Sequence, residues 1–545
     1  MSLLFNALLL PAILLAAPLL SFALFVTVRR IQSYRSPLNI LRGPKSRSWF
    51  LGSTAGINDP HRLMEDWVAE YGDTLVVQGL FSTRRLLTVD TTALHHVFSN
   101  WQTFVRPEEM QRSFGALFGK GLLFAVGEQH RRQRRVINSA FGPMQVRAFT
   151  EVFVQKANEL RDIWLDLASK TARKDGRVKL DAFSWLNKAT LDIIGLTGFD
   201  HDFDALHAKA TEASDLHKAF QATLTDPHAP VSSFLSILPI PSFLTQLGTS
   251  RRQRDAFQYI REAGHAIVQE KKVAVLAAAD GRALEKSEFQ NDLLSLLIKS
   301  NLASDLPASM RMSDEEISGQ VPTFLVAGHE TTSTAVTWTL FALACHAPIQ
   351  AQLRAELLEF PTDTPTMDEL NALPMLDHVL REALRLYAPV SMIDRSVTED
   401  TVIPFGKPFV DKYGVTRTEL HIRKGDSVII PIRMLNRSVE IWGDDAQEFR
   451  PERWENLPES AHTLPSVYSN LLTFNAGPHA CIGFRFSNAE AKALIFSIIR
   501  AFEVELAIQP DDIVRKTAIV GRPYIEGKLQ GGVQLPLLVR PVCLA

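Results

Sequence analysis

From Leu3 to Val28 the chain carries no charged residue. At a helical rise of about 1.5 Å per residue, this run outreaches the roughly 30 Å hydrocarbon core of a bilayer, and it predicts a transmembrane helix over about residues 3–28. Arg29, Arg30 and Arg35 follow, a basic flank of the kind that stays on the cytoplasmic side. A cleavable leader is the alternative, but the start lacks the Lys or Arg of an n-region and the apolar run outlasts an h-region. Pro11 and Pro18 would kink the helix, and Pro37 with the Gly43-Pro44 step ends it. Far downstream, Ser313-Asp-Glu-Glu316 reads as a capping box, and Ile317, Val321, Phe324 and Leu325 recur at helical spacing after it. One long helix is expected from there to just before Pro348. Another is expected from near Pro374 to before Pro389. Thr74 to Val77, Arg85 to Val89 and Ser427 to Pro431 read as short strands.

The 545 residues show no internal repeat and no low-complexity block, so residues 1–35 are expected to form anchor and flank, and 36–545 one large domain. With 58 basic against 60 acidic residues the formal charge is −2, which gives no global case for nucleic-acid binding. The dense basic run Gly127 to Arg135 is too short to change that, and it serves either as a solvated helix face or as a docking surface for an acidic partner. Three cysteines, Cys345, Cys481 and Cys543, form no C-x-x-C pair, which suits a reducing compartment.

Cys481 stands apart from the other two. It lies in Phe474-Asn-Ala-Gly477-Pro478-His479-Ala-Cys481-Ile-Gly483, a glycine-bracketed loop that runs into an apolar helix. Backbone N–H groups at a helix N-terminus are expected to lower a thiol pKa, and glycines let the backbone approach a flat macrocycle closely. The loop therefore suits a thiolate-ligated heme, although a buried structural cysteine is the plainer reading of such a residue. Within the long helix, Ala327-Gly328-His329-Glu330-Thr331-Thr332 interrupts an apolar stretch with poor helix formers. A local opening there would admit dioxygen and water, with Glu330 and Thr331 moving protons; a glycine-weakened helix is the alternative. Glu382 and Arg385 sit three apart on one helix face, and Arg453 follows in Pro451-Glu-Arg-Trp454.

Taken together, these segments resemble the cytochrome P450 family. The cysteine loop resembles F-x-x-G-x-R-x-C-x-G, with His479 in place of the arginine; Ala327 to Thr332 matches [A/G]-G-x-[D/E]-T-[T/S]; Glu382 to Arg385 matches E-x-x-R. His130 and Arg134 resemble the W-x-x-x-R element, with histidine in the tryptophan place. The resemblance implies a mainly α (α+β) fold with a small β-rich part. It implies heme b with Cys481 as axial iron ligand, framed by Phe474, Gly477 and Gly483. It also implies His130, Arg134, Arg395 and His479 toward the propionates and a buried Glu382, Arg385 and Arg453 cluster. Glu330 and Thr331 become catalytic, and the pocket is lined by Phe324, Val326, Ala327, Val390, Ser391, Met392 and Ile393, with the loop near Phe114 to Phe124.

The implied activity is a monooxygenase that inserts one oxygen atom from O2 into an apolar small molecule. No G-x-G-x-x-G or Walker loop occurs, so the resemblance implies electrons from a separate NADPH-dependent flavoprotein reductase. The anchored arrangement resembles members of the endoplasmic reticulum whose catalytic domain faces the cytosol. The motif style resembles fungal members, which often decorate terpenoids, fatty acids and other products of secondary metabolism. Two other readings stay open: an isomerase or dehydratase of peroxides that needs no electrons, and a non-catalytic heme-binding membrane protein.

Overall fold

The strand-like runs near residues 74, 85 and 427 pair into a single sheet. In the computed structural model, which describes residues 20–53, 60–171, 175–207, 251–279, 292–517 and 519–542, the order is Thr74–Gln78, Arg84–Thr88, Ser427–Ile430, Ile393–Val397 and Phe104–Val105. Arg84–Thr88 lies parallel to Ser427–Ile430, and Ile393–Val397 runs antiparallel to the latter with Arg395 opposite Val428. Leu75, Leu86, Leu87, Val428 and Ile430 are buried, as expected of central strands covered on both faces. This sheet belongs to the first of two compact units, made of Met1–Leu117, Ala219–Tyr259 and Ile393–Pro431. The second comprises Phe118–Lys218, Ile260–Met392 and Ile432–Ala545.

The first unit also holds a helix over residues 20–35. Residues 3–19 of the expected transmembrane helix lie outside the described residues. Among the described residues no helix is long and apolar enough to cross a membrane. The 20–35 helix is not a free tether: Phe22 and Phe25 each set a ring edge-on to Phe81 at 5.7 Å, Arg29 pairs with Glu109, and Ser33 Oγ donates to the Ser82 carbonyl at 2.6 Å. Phe81 is buried at a left-handed φ of 54°, a costly conformation for an aromatic residue that the surrounding rings, Phe50 included, hold in place.

The second unit is helix-rich. Its site is carried by α1 (Gly127–Ile137), α2 (Pro143–Thr171), α3 (Ala182–Phe199), α4 (Gln320–Cys345), α5 (Pro374–Leu386) and α6 (Phe484–Ala501). The expected capping box exists, with Ser313 Oγ accepting from Glu316 N and Glu316 Oε2 accepting from Ser313 N, but it caps a separate turn, Asp314–Ser318. The long helix starts only after Gly319, because the Gly319 and Gly121 backbones touch there and a Cβ on Gly319 would stand 2.5 Å from Gly121 N. Nor does the helix open at Ala327 to Thr332, since α4 runs unbroken through them. Gly328 instead lets α3 pack close, for a Cβ there would meet Ile194 Cδ1 at 2.9 Å. At the C-terminal end, Ile513–Thr517 and Gly521–Ile525 pair antiparallel, with Lys516 opposite Arg522.

Candidate active site

The cysteine loop closes on itself before α6 begins. Cys481 N donates to the Phe474 carbonyl at 2.8 Å, Ala480 N to Gly477 O at 3.0 Å, and Asn475 Nδ2 to His479 O at 3.0 Å. Asn475 and Gly477 both take a φ of 63°, and at Asn475 the ψ of −171° is backbone that glycine adopts far more readily, held by its side-chain bond to His479 O. From α1, Arg134 Nη1 donates to the Ala480 carbonyl at 2.6 Å, and the buried His130 ring lies 4.0 Å from that of His479. Both side chains of the basic helix that share a face, His130 and Arg134, therefore meet the cysteine loop. Burial pushes the Cys481 thiol up, with the Gly483 N–H and the Arg134 guanidinium opposing it. The Gly483 N–H and the Arg134 guanidinium are the groups that favour the thiolate there, and a bound iron's charge would add to them.

Arg132 turns elsewhere, pairing with Glu316 of the capping box and donating to Arg311 O at 2.6 Å. The docking face foreseen on this helix is therefore reduced to Arg131 and Arg135, both exposed.

Along α4, positions Val321 to Leu325 and Thr332 to Leu340 are buried, while Ala327 is exposed and Val326, Gly328 and Thr331 are half-buried. Thr331 Oγ1 donates to the Ala327 carbonyl at 2.6 Å, leaving its lone pairs to accept. Glu330 is buried and ion-pairs with Arg522 of the C-terminal hairpin. Burial holds the Arg522 guanidinium below its ordinary pKa, with Tyr524 opposing. Cys481 is exposed beside the buried Ala480. A soft sulfur donor with an open side, arginine and backbone donors around it, and an apolar helix with an open patch of its own fit a heme iron and its macrocycle.

Behind the loop, Glu382 and Arg385 of α5 are fully buried and joined bidentately, Arg385 Nε to Oε2 at 2.8 Å and Nη2 to Oε1 at 2.7 Å. Arg453 Nε donates to Glu382 Oε1 at 2.9 Å and Trp454 Nε1 to Oε2 at 3.2 Å; Arg385 also donates to the Asn436, Ala446 and Glu448 carbonyls. Asn436, which the sequence did not single out, ties this cluster to the cysteine loop through Thr473 Oγ1 at 2.8 Å and Leu472 N at 3.1 Å.

Of the pocket residues, Phe324 is buried with its ring edge-on to Phe141 at 5.5 Å, and Ser391 Oγ accepts from Arg515 Nη2 at 2.9 Å. Val390 and Met392 are half-buried in the same unit; Ile393 and Arg395 lie in the first unit. There, burial and the neighbouring Arg106 guanidinium pull Arg395 down to about 10, against the Asp394 carboxylate, and burial pulls Arg106 to about 10 as well. Arg395 Nη1 donates to the Asp394 carbonyl at 3.0 Å and the half-buried Arg106 guanidinium lies 5.4 Å from the Phe114 ring; Arg106 carries no sequence motif that could have flagged it. Arg522, Asn436 and the buried Glu490 of α6 escaped notice for the same reason.

A family model described as Cytochrome P450 matches residues 41–529. Cytochrome P450 monooxygenases 205 and 128 of Postia placenta are 44% and 42% identical to the chain, over 94% and 93% of both partners. Cytochrome P450 monooxygenase claU of Ampulloclitocybe clavipes is 34% identical over 95% of both. With the cysteine loop, the Ala327 to Thr332 stretch of α4 and the glutamate–arginine cluster all inside that match, the chain belongs to the cytochrome P450 family of heme-thiolate monooxygenases.

Proposed function

We propose that Cys481 is the axial thiolate, that Glu330 and Thr331 manage protons, and that the substrate is an apolar small molecule such as a terpenoid or another secondary metabolite. The observation that carries this reading is the donor set on the cysteine loop: one accessible sulfur, faced by Arg134 and the Gly483 N–H. Heme, when bound, supplies O2 binding and activation. His130, Arg134, His479 and Arg395 would hold its propionates, the histidines as hydrogen-bond donors in either charge state. Phe474, Gly477 and Gly483 shape the loop. Phe324, Val326, Ala327, Val390, Ser391, Met392 and Ile393 exclude water and orient an apolar substrate. Thr331 accepts and passes a proton that Glu330 relays from solvent. Electrons arrive from an NADPH-dependent flavoprotein reductase steered by Arg131 and Arg135. The uncharged N-terminal run anchors the chain in the endoplasmic reticulum with the catalytic part facing the cytosol.

The test is Thr331→Ala in a reaction reconstituted with reductase. Heme binding and reduction should persist while hydrogen peroxide accumulates and product per NADPH falls, by up to the 10²–10⁴-fold typical of a positioned proton donor, less where water substitutes. Unchanged stoichiometry would remove Thr331 from the chemistry, and turnover without NADPH would favour an isomerase.

A further inference from the structure

Glu330 does not face solvent. It meets Arg522, and Arg522 sits on a hairpin bound to two other walls of the site. Gly521 N donates to the Pro389 carbonyl at 2.8 Å, and Trp338 Nε1 of α4 donates to the Gly521 carbonyl at 2.8 Å. Trp338 stacks on Tyr387 at 5.3 Å and 2°, with the Arg515 guanidinium 5.8 Å from the indole. Arg515 in turn bonds the Ala388 carbonyl and Ser391 Oγ, next to the pocket positions Val390 and Met392. A Cβ at Gly521 would overlap the Arg515 guanidinium, so the hairpin needs glycine there for Arg515 to cross it. One strap thus touches the proton-handling stretch of α4 and the 387–391 wall together.

We propose that Arg522 is the positioning residue for Glu330: it holds the carboxylate against the hairpin, and Glu330 serves as a relay only when it leaves Arg522, a motion governed by the 387–391 wall through Arg515. This rests on Glu330 being the acid of the site. In the released state Glu330 takes a proton from solvent, gives it to the Thr331 oxygen as the Thr331 hydroxyl turns from the Ala327 carbonyl and gives up its own proton on the pocket side, and returns to Arg522 as the carboxylate. A pocket ligand that shifts Ser391 moves Arg515 and hence the strap, so occupancy of the pocket and proton supply are linked. Other ionisable groups on the packed elements are His329 on α4, Arg515, Lys516 and Tyr524 on the hairpin, Tyr387 on the wall, Glu490 on α6, and Lys188 and Asp192 on α3.

The experiment uses full-length protein with heme bound, as wild type, Arg522→Gln, Arg522→Lys, Glu330→Gln and the double variant Arg522→Gln/Glu330→Gln. Thermal unfolding is followed from pH 5.5 to 8.5, and NADPH oxidation with hydrogen peroxide release is measured over the same range with reductase and no substrate. Arg522→Gln should lose stability increasingly as pH rises, because an ionised carboxylate is left without its counter-charge. Adding Glu330→Gln should flatten that dependence, and Arg522→Lys should retain most of the wild-type behaviour. Removing the cation should also move the Glu330-dependent limb of the NADPH profile up by about one to three pH units. A pH-independent loss in Arg522→Gln would overturn the pairing. A pH-dependent loss with an unshifted NADPH profile would reduce the pair to a structural one. A profile unaltered by Glu330→Gln alone would instead defeat the assignment of Glu330 as the acid.

Discussion

Asp192 shows how one side chain can set a pH response. It is buried on α3, accepts from Ala205 N at 2.7 Å and Leu206 N at 3.0 Å, and is pushed up to about 6 by burial, with those two N–H groups and Lys156 opposing. An acid whose folded pKa exceeds its unfolded value favours the folded state at low pH. That contribution is complete below about pH 4 and is lost as pH rises through 6, for a cost of about 3 kcal/mol. Unfolding followed between pH 4 and 7 should therefore show a flatter profile in Asp192→Asn than in wild type. Equal slopes would assign the response to another group. Glu490 makes a similar case: fully buried on α6 with neither carboxyl oxygen hydrogen-bonded, it is raised well above its ordinary value by burial, with the Thr332 hydroxyl opposing, and is carried as the neutral acid. Glu490→Gln should thus be nearly silent in thermal unfolding. Glu490→Lys should abolish folding, and tolerance of the lysine would show that the site is wetter than its burial indicates.

Among the elements, α5 and the Pro451–Glu455 turn are joined by a charge cluster rather than by apolar contact alone. Glu382→Ala leaves the buried Arg385 guanidinium without its carboxylate while Arg453 keeps Asp445 at 2.8 Å, so a loss of about 3–5 kcal/mol in chemical unfolding is expected, with heme retention falling as the cysteine loop loosens through Asn436. A loss below about 1 kcal/mol would place the cluster with ordinary surface pairs. The spacing of Glu382 and Arg385 was legible because helical geometry alone brings i and i+3 together. The same holds for the cysteine loop, whose turn residues and ligand are contiguous. Asn436, Arg106 and Arg522 were not legible, because each acts across a long separation in sequence that only the folded chain closes. The long helix was misjudged at its start for a related reason: the capping box is local, whereas the Gly121 and Gly319 contact that breaks the helix is not.

For the molecule as a whole, the helix-rich fold with small sheets was implied by the family resemblance that the motifs carry, but the N-terminal boundary was not. Hydropathy alone carried the spanning segment to Val28, yet Phe22, Phe25 and Arg29 are spent on Phe81 and Glu109. Deleting residues 1–19 should therefore release protein from membranes with its spectrum intact. Deleting 1–35 should in addition lower the melting temperature by uncovering Phe81. Equal melting temperatures for the two truncations would mean that the 20–35 helix adds nothing to the first unit.

The central claim is the sulfur ligand. Absorbance of the reduced protein with carbon monoxide should show a strongly red-shifted Soret band in wild type, Cys345→Ala and Cys543→Ala, and none in Cys481→Ala. A band that survives Cys481→Ala, or heme-loaded wild type that never shows one, would contradict the account.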